Sequence, residues 1–140
     1  MTGGDLILLK KGQYLEWKID DLNKESNYSN AFFNGLYNSR LWYCAPRSAG
    51  VKLTITGVSS YATSILFEKI LQLTGDSTTN RNKLRHKDLL QVPVNAEIQL
   101  GGQGDGIDIY VKVEMLGAPD NYQWVDGEII LDRLEFARKF

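Results

Sequence analysis

Ile107-Asp108-Ile109-Tyr110-Val111-Lys112-Val113-Glu114-Met115 is the longest unbroken alternation in the chain. Its odd-numbered positions are all apolar, and its even ones carry Asp, Tyr, Lys and Glu. Side chains of an extended strand point alternately to opposite faces, so this pattern predicts a strand with one face buried. The preceding Gly101-Gly102-Gln103-Gly104-Asp105-Gly106 is dense enough in glycine to look like a phosphate-cradling loop. Such a loop needs a helix N-terminus behind it to supply N–H donors and a dipole. A strand follows instead, so the glycines are read as hairpin residues that supply positive φ.

Downstream, residues 117–127 read as a loop carrying Pro119, Asp120, Asn121, Tyr122 and Trp124. Asp126-Gly127 turns the chain into a closing strand, Glu128-Ile129-Ile130-Leu131-Asp132-Arg133-Leu134-Glu135-Phe136. Here the apolar parity changes: Ile129 and Leu131 fall on one face, Leu134 and Phe136 on the other. Either both faces are covered, or an extra residue near Asp132-Arg133 bulges and resets the register. In both cases Asp132 lies among large apolar side chains, where an ionised carboxylate is costly unless paired. It is read as structural, accepting backbone N–H bonds or pairing with Arg133 or Arg47.

Upstream, Leu6–Lys10 is a short apolar run, and Gln13–Asp20 alternates Leu15, Trp17 and Ile19 with charged residues. Leu36–Cys44 is aromatic-rich and stops at Pro46, which cannot donate in a ladder. Val51–Thr56 alternates cleanly. Ile65–Leu73 fits helix or strand, and the surrounding rhythm favours strand. Val92–Leu100 reads as a strand, at a sheet edge because of Pro93. About eight strands separated by turn signals, with no helix, predict an all-β antiparallel two-sheet β-sandwich closed as a jelly roll.

The 140 residues form one domain, long enough to bury roughly two-thirds of the unfolded surface without metal or disulfide. With 43% hydrophobic and 24% charged residues the composition is that of an ordinary globular protein. A net charge of −1 gives no footprint for nucleic acid. The single cysteine, Cys44, excludes an internal disulfide and is read as a small buried hydrophobe. No constellation argues for catalysis, no cofactor is expected, and the lone His86 has no acidic or thiol neighbour at ligand spacing. A calcium site near Asp105 or Asp120 is the one metal arrangement the loops leave open.

What remains is binding through loops and a sheet face. The leading contact candidates are Asp120, Asn121, Tyr122 and Trp124, with two aromatics one residue apart among amide and acid groups that suit sugar hydroxyls. Trp124 is equally readable as a core residue at the start of the closing strand. Tyr28, in Asn27-Tyr28-Ser29-Asn30, and Tyr61 are further candidates. Arg81, Lys83, Arg85 and Lys87 alternate with other residues, and read either as a patch for an anionic partner or as a solvated loop or edge strand kept from aggregating by its charges.

Three motifs carry a resemblance. Leu131-Asp132-Arg133-Leu134-Glu135-Phe136 resembles the Tyr-Ile-Asp-Arg-Ile-Glu-Phe block that closes the third domain of three-domain insecticidal crystal toxins, the Cry delta-endotoxins. Thr2-Gly3-Gly4-Asp5-Leu6 is similar to the Thr-Gly-Gly-Asp-Leu that opens that domain. Arg40-Leu41-Trp42-Tyr43-Cys44-Ala45 stands in the place of Arg-Ile-Arg-Tyr-Ala-Ser. The motifs occur in family order and span one domain; residues 58–106 match nothing in it. The resemblance implies a β-sandwich recognition domain, excised from a longer toxin, that binds gut-epithelial glycoproteins and stabilises the toxin core. Its implied partners are insect midgut receptors of alkaline phosphatase, aminopeptidase N or cadherin type, with glycan, and the toxin's own other domains. It implies a parasporal crystal of a spore-forming bacterium and action at the gut epithelial membrane. Asp5, Asp132 and Arg133 are read as structural within these motifs. Trp42 departs from the family's second arginine, which puts a basic function of that strand in doubt. The competing readings are a carbohydrate-binding module of a glycoside hydrolase and a phage or viral jelly-roll protein.

Overall fold

A computed structural model describes residues 6–18, 35–58, 62–76, 83–94 and 108–139. Among these residues there are nine strands and no helix: β1 (Ile7–Lys10), β2 (Tyr14–Lys18), β3 (Gly35–Cys44), β4 (Ala49–Val58), β5 (Thr63–Leu73), β6 (Arg85–Val94), β7 (Asp108–Asp120), β8 (Gln123–Val125) and β9 (Glu128–Lys139). One sheet has the order β1-β9-β3-β6 and the other β2-β7-β4-β5, with β8 paired to β7. Every pairing is antiparallel. Except for the β4–β5 hairpin and the small β7–β8 ribbon, successive strands cross between sheets. That path is a jelly roll, and the protein is an all-β sandwich.

The alternation that predicts the strands also builds the core. Ile109, Val111, Val113 and Met115 of β7 are buried beside Val51, Leu53 and Ile55 of β4. Leu41 and Tyr43 of β3 and Ile129 and Leu131 of β9 belong to the same buried cluster from the opposite sheet. Each such side chain contributes roughly 1.5–3 kcal/mol when fully buried. Cys44 is buried and unbonded to another cysteine. Burial, followed by the nearby Asp132 and Asp76 charges, pushes its thiol pKa up, away from the reactive thiolate.

The parity change in β9 is a bulge. Trp42 pairs with Arg133 and Tyr43 with Leu131, so Asp132 has no partner of its own on β3. The extra residue leaves Ile129 and Leu131 fully buried and lets Leu134 and Phe136 pack on the core as well. Asp132 Oδ2 accepts a 2.9 Å bond from Arg133 Nη1, and its side chain is only 14% exposed. Of the two arginines the sequence offers as partners, Arg133 is the one used; Arg47 is exposed. The ambiguity of Ile65–Leu73 has the same cause. Ile55 pairs with Phe67 and Thr56 with Ile65, so Leu66 is an extra residue that breaks the period of two.

Two expected boundaries move. The strand expected from Val92 begins at Arg85 and takes in much of the basic run, and residues 95–100 lie outside the described part. It is an edge strand, with Pro93 opposite Leu36. Residues 117–127 are not a plain loop: β7 continues to Asp120 and turns back as β8.

Candidate recognition site

The ladder between β7 and β4 ends at Gly117–Gly50. Beyond it, Ala118, Pro119 and Asp120 pair with Val125, Trp124 and Gln123, forming a two-stranded ribbon. Its two-residue turn is Asn121-Tyr122, with φ of 48° and 67°. Both signs match a type I′ hairpin turn, whose second position is ordinarily glycine. A tyrosine there costs backbone energy, of the order of 1–2 kcal/mol for a left-handed L-residue. Its side chain is fully exposed, so no packing offsets that cost. Pro119, Asp120, Asn121 and Gln123 are exposed around it.

Trp124 does not join Tyr122 in a shared aromatic surface. It is half-buried, and its six-membered ring occupies the space that a Cβ on Gly50 would need. The tryptophan therefore seats the ribbon on the sandwich, while the tyrosine is displayed by it. Lys11 adds a tie, donating from Nζ to the Trp124 carbonyl oxygen at 2.7 Å.

Of the basic run, β6 contains Arg85 and Lys87. Arg85 is turned to Asp76, with Nε–Oδ2 at 2.9 Å and Nη2–Oδ1 at 2.7 Å. That bidentate bond holds the Asp76 carboxyl below the usual carboxylate range and makes Arg85 a clamp rather than a free cation. Lys83 is exposed and Lys87 half-buried. Arg81, Tyr28, Tyr61, Asp5 and Asp105 lie outside the described residues. Among the described residues no group of three or more His, Cys, Asp or Glu side chains is placed to hold a metal ion, Asp120 included.

A second polar cluster, not singled out as a site by the sequence, covers the outer face of the four-stranded sheet. Cross-strand register sets Trp42 of β3 between His86 of β6 and Arg133 of β9, and Arg40 between Asp88 and Glu135. Arg40 holds Asp88 through Nε–Oδ1 at 2.7 Å and Nη2–Oδ2 at 3.2 Å. His86 Nδ1 lies 3.1 Å from the same Oδ1, so the histidine does have an acidic neighbour, contrary to the sequence reading, because residues two apart share a strand face. Trp42 Nε1 donates to Glu135 Oε1, which also accepts from Arg133 Nε at 3.2 Å. The Arg133 guanidinium carbon sits 4.7 Å from the Trp42 ring centroid, and the His86 ring is 4.9 Å away at 55°. The Arg40 bond depresses the Asp88 pKa, with His86 adding to it; the Trp42 bond, then Arg133, depress that of Glu135. These donors and acceptors bind one another across three strands, which favours register over ligand capture. The signal in the sequence was the spacing of two in Arg40/Trp42, His86/Asp88 and Arg133/Glu135, which puts each pair on one face of its strand.

No protein-family model matches the chain, and no curated protein matches it. Among solved structures it is similar to that of TmCBM61 in complex with beta-1,4-galactotriose, with 15% identity over 96% of this chain and 69% of that one, at a TM-score of 0.37. The overlap is too loose to carry a functional argument.

Proposed function

We propose that this domain is a non-catalytic recognition module of an insecticidal crystal toxin, binding glycoprotein receptors of the gut epithelium through the tip of the β7–β8 ribbon. The observation that carries the reading is Tyr122: an aromatic held fully exposed by a turn that favours glycine at its position. Backbone strain combined with exposure of a large aromatic is what a contact residue needs and what a purely structural turn avoids. The resemblance to the toxin domain adds support, because two of its motifs pair with each other. Arg40, Leu41 and Trp42 lie opposite Glu135, Leu134 and Arg133. On this reading the outer-face network maintains the sandwich, and the glycan or protein surface meets the ribbon. The alkaline phosphatase, aminopeptidase N and cadherin-type receptors of the insect midgut are the partners to test, and the remaining domains of a parasporal-crystal toxin would supply the pore.

The test is binding of the purified domain to midgut brush-border membrane vesicles, with Tyr122→Ala beside the parent. The expected result is saturable binding that falls about tenfold in the variant, the loss of roughly 1.4 kcal/mol that a modest interface anchor provides. Equal binding of parent and variant would remove the ribbon tip from the reading. Binding to cellulose or xylan but not to the vesicles would replace the toxin role with that of a polysaccharide module.

A further inference from the structure

Each sheet ends in two edge strands, and among the described residues three of the four are shielded against further pairing. β1 and β2 are short, of 4 and 5 residues. β6 carries Arg85, Lys87 and Pro93. Short edges, charge and proline are the ordinary means by which sheets avoid joining edge to edge. β5 is different. It runs for 11 residues without a proline, and among the described residues it pairs only with β4. Ile65 and Ile70 project from it, 56% and 50% exposed.

The bulge at Leu66 divides this edge, because an extra residue bends a strand out of line. On its C-terminal side the ladder with β4 is uninterrupted for seven pairs, from Ile55–Phe67 to Ala49–Leu73. Along Phe67–Leu73 the backbone groups that point away from β4 have no strand to bond among the described residues. Ile70 is the midpoint of that segment. Glu68, Ile70 and Gln72 lie on its outer face, and all three are exposed. Phe67, Lys69, Leu71 and Leu73 lie on the core-facing side, and of these Lys69 is exposed at the rim.

We propose that Phe67–Leu73 is the contact edge of a symmetric dimer of this chain, in which two copies of β5 pair antiparallel about a two-fold axis at Ile70. Residues opposite one another in such a pair share a face of the sheet, so the axis must pass through a residue position and not between two. An axis at Glu68 or Lys69 sets like charges directly opposite each other. An axis at Leu71 shortens the overlap and puts Ile70 against Gln72. At Ile70 the whole straight segment overlaps: Ile70 meets its own copy, the Glu68 carboxylate faces the Gln72 amide, and Phe67 faces Leu73. Lys69 then faces Leu71, where its stem packs and its ammonium stays in water. The one like-charge approach left is diagonal, between the two Lys69 side chains. One strand pair buries less than the roughly 1,000 Å² of a permanent interface, so the dimer forms reversibly. β4 separates β5 from β7 and its ribbon, so dimerisation and contact through Tyr122 use different surfaces.

The experiment is sedimentation equilibrium of the intact domain from about 1 μM to about 1 mM. Ile70→Lys, Ile65→Lys and Lys69→Gln are compared with the parent, each shown by thermal unfolding to retain the fold. The expected parent is a reversible monomer–dimer system. Ile70→Lys should weaken the dimer at least about tenfold, and Lys69→Gln should tighten it about threefold by removing the diagonal repulsion. Ile65→Lys, beyond the bulge, should leave it unchanged. Ile70→Cys should cross-link two copies under mild oxidation and Ile65→Cys should not, while Cys44 stays buried in both. A parent that is monomeric throughout, an assembly larger than two, or a dimer that Ile70→Lys leaves intact or Ile65→Lys disrupts equally overturns the interface. Failure of Ile70→Cys to cross-link, or of Lys69→Gln to tighten the dimer, overturns the position of the axis.

Discussion

The six-membered ring of Trp124 fills the space above Gly50, so the ribbon that displays Tyr122 is seated by contact between a tryptophan and a missing side chain. Gly50 is opposite Gly117 where β4 and β7 part, the position at which the ribbon leaves the sandwich. A methyl group added at Gly50 must displace that ring. Gly50→Ala is expected to destabilise the domain by about 1–3 kcal/mol, the usual cost of overpacking, as measured by urea unfolding. Because the ring anchors the ribbon, near-ultraviolet circular dichroism from the tryptophans should change in the same variant. A variant as stable as the parent would show that the ribbon has room to shift.

Tyr122→Gly tests strain and function together. Glycine relieves the positive-φ cost at the second turn position, worth about 1–2 kcal/mol, and gives back roughly 0.5–1 kcal/mol through greater freedom in the unfolded chain. The expected net effect is stabilisation of up to about 1.5 kcal/mol in chemical denaturation, with weaker binding to gut membrane vesicles. Opposite signs for stability and binding are the pattern of a residue kept for contact rather than for folding. If Tyr122→Gly unfolds more easily, the ring supports the turn in a way its exposure does not indicate.

The sequence was most informative where one face of a strand was uniformly apolar. Val51, Leu53 and Ile55, and Ile109 through Met115, declare their strands, and both are central in the five-stranded sheet. The β6 start was legible only as one alternative, a charged edge strand, because Arg85 and Lys87 fall on the same side of the strand as buried Leu89 and carry charge where apolar residues were sought. Asp132 could be read as a bulge since apolar residues flank it on both sides, whereas Leu66 is itself apolar and conceals the extra residue it represents. Tyr122 was legible as an exposed residue because it lies in a turn-rich stretch. Its separation from Trp124 was one of two even readings, and the choice between them was not legible, because Gly50, on which the indole rests, is remote in sequence. The Arg40–Asp88 pair bridges 48 intervening steps of chain; strand order decides such a contact, and local pattern does not encode it.

Deleting residues from β9 discriminates a bulge from two covered faces. Removing Asp132 leaves Ile129, Leu131, Leu134 and Phe136 at regular spacing of two, so all four still face the core. Removing Ile130 instead forces Ile129 or Leu131 to the outer face, or brings Asp132 inward, because a slip of one residue reverses side-chain direction. The Asp132 deletion is expected to keep cooperative unfolding and the Ile130 deletion to lose about 2–5 kcal/mol more, the scale of losing a buried Leu or Ile. Equal loss in the two variants would mean that the bulge geometry itself, and not merely the facing of these side chains, is required.

The paired carboxylates predict how the domain responds to acid. Arg85 lowers the pKa of Asp76, Arg40 and His86 lower that of Asp88, and Trp42 with Arg133 lowers that of Glu135. In the unfolded chain these groups titrate near 3.9 for Asp and about 4.3 for Glu. A carboxyl with a depressed folded pKa binds fewer protons when folded than when unfolded, so its contribution is complete above the unfolded value and is lost as pH falls through the folded one. The melting temperature should therefore hold steady down to about pH 5 and fall progressively below about pH 4 as far as these groups control it. Asp76→Asn removes the partner of Arg85, whose bidentate bond joins the segment after β5 to the start of β6. That variant should melt a few degrees lower at neutral pH and converge with the parent in strong acid, where the parent's carboxyl is protonated as well. A gap that stays constant across the titration would assign the loss to packing or to a neutral hydrogen bond, and not to the charge of Asp76.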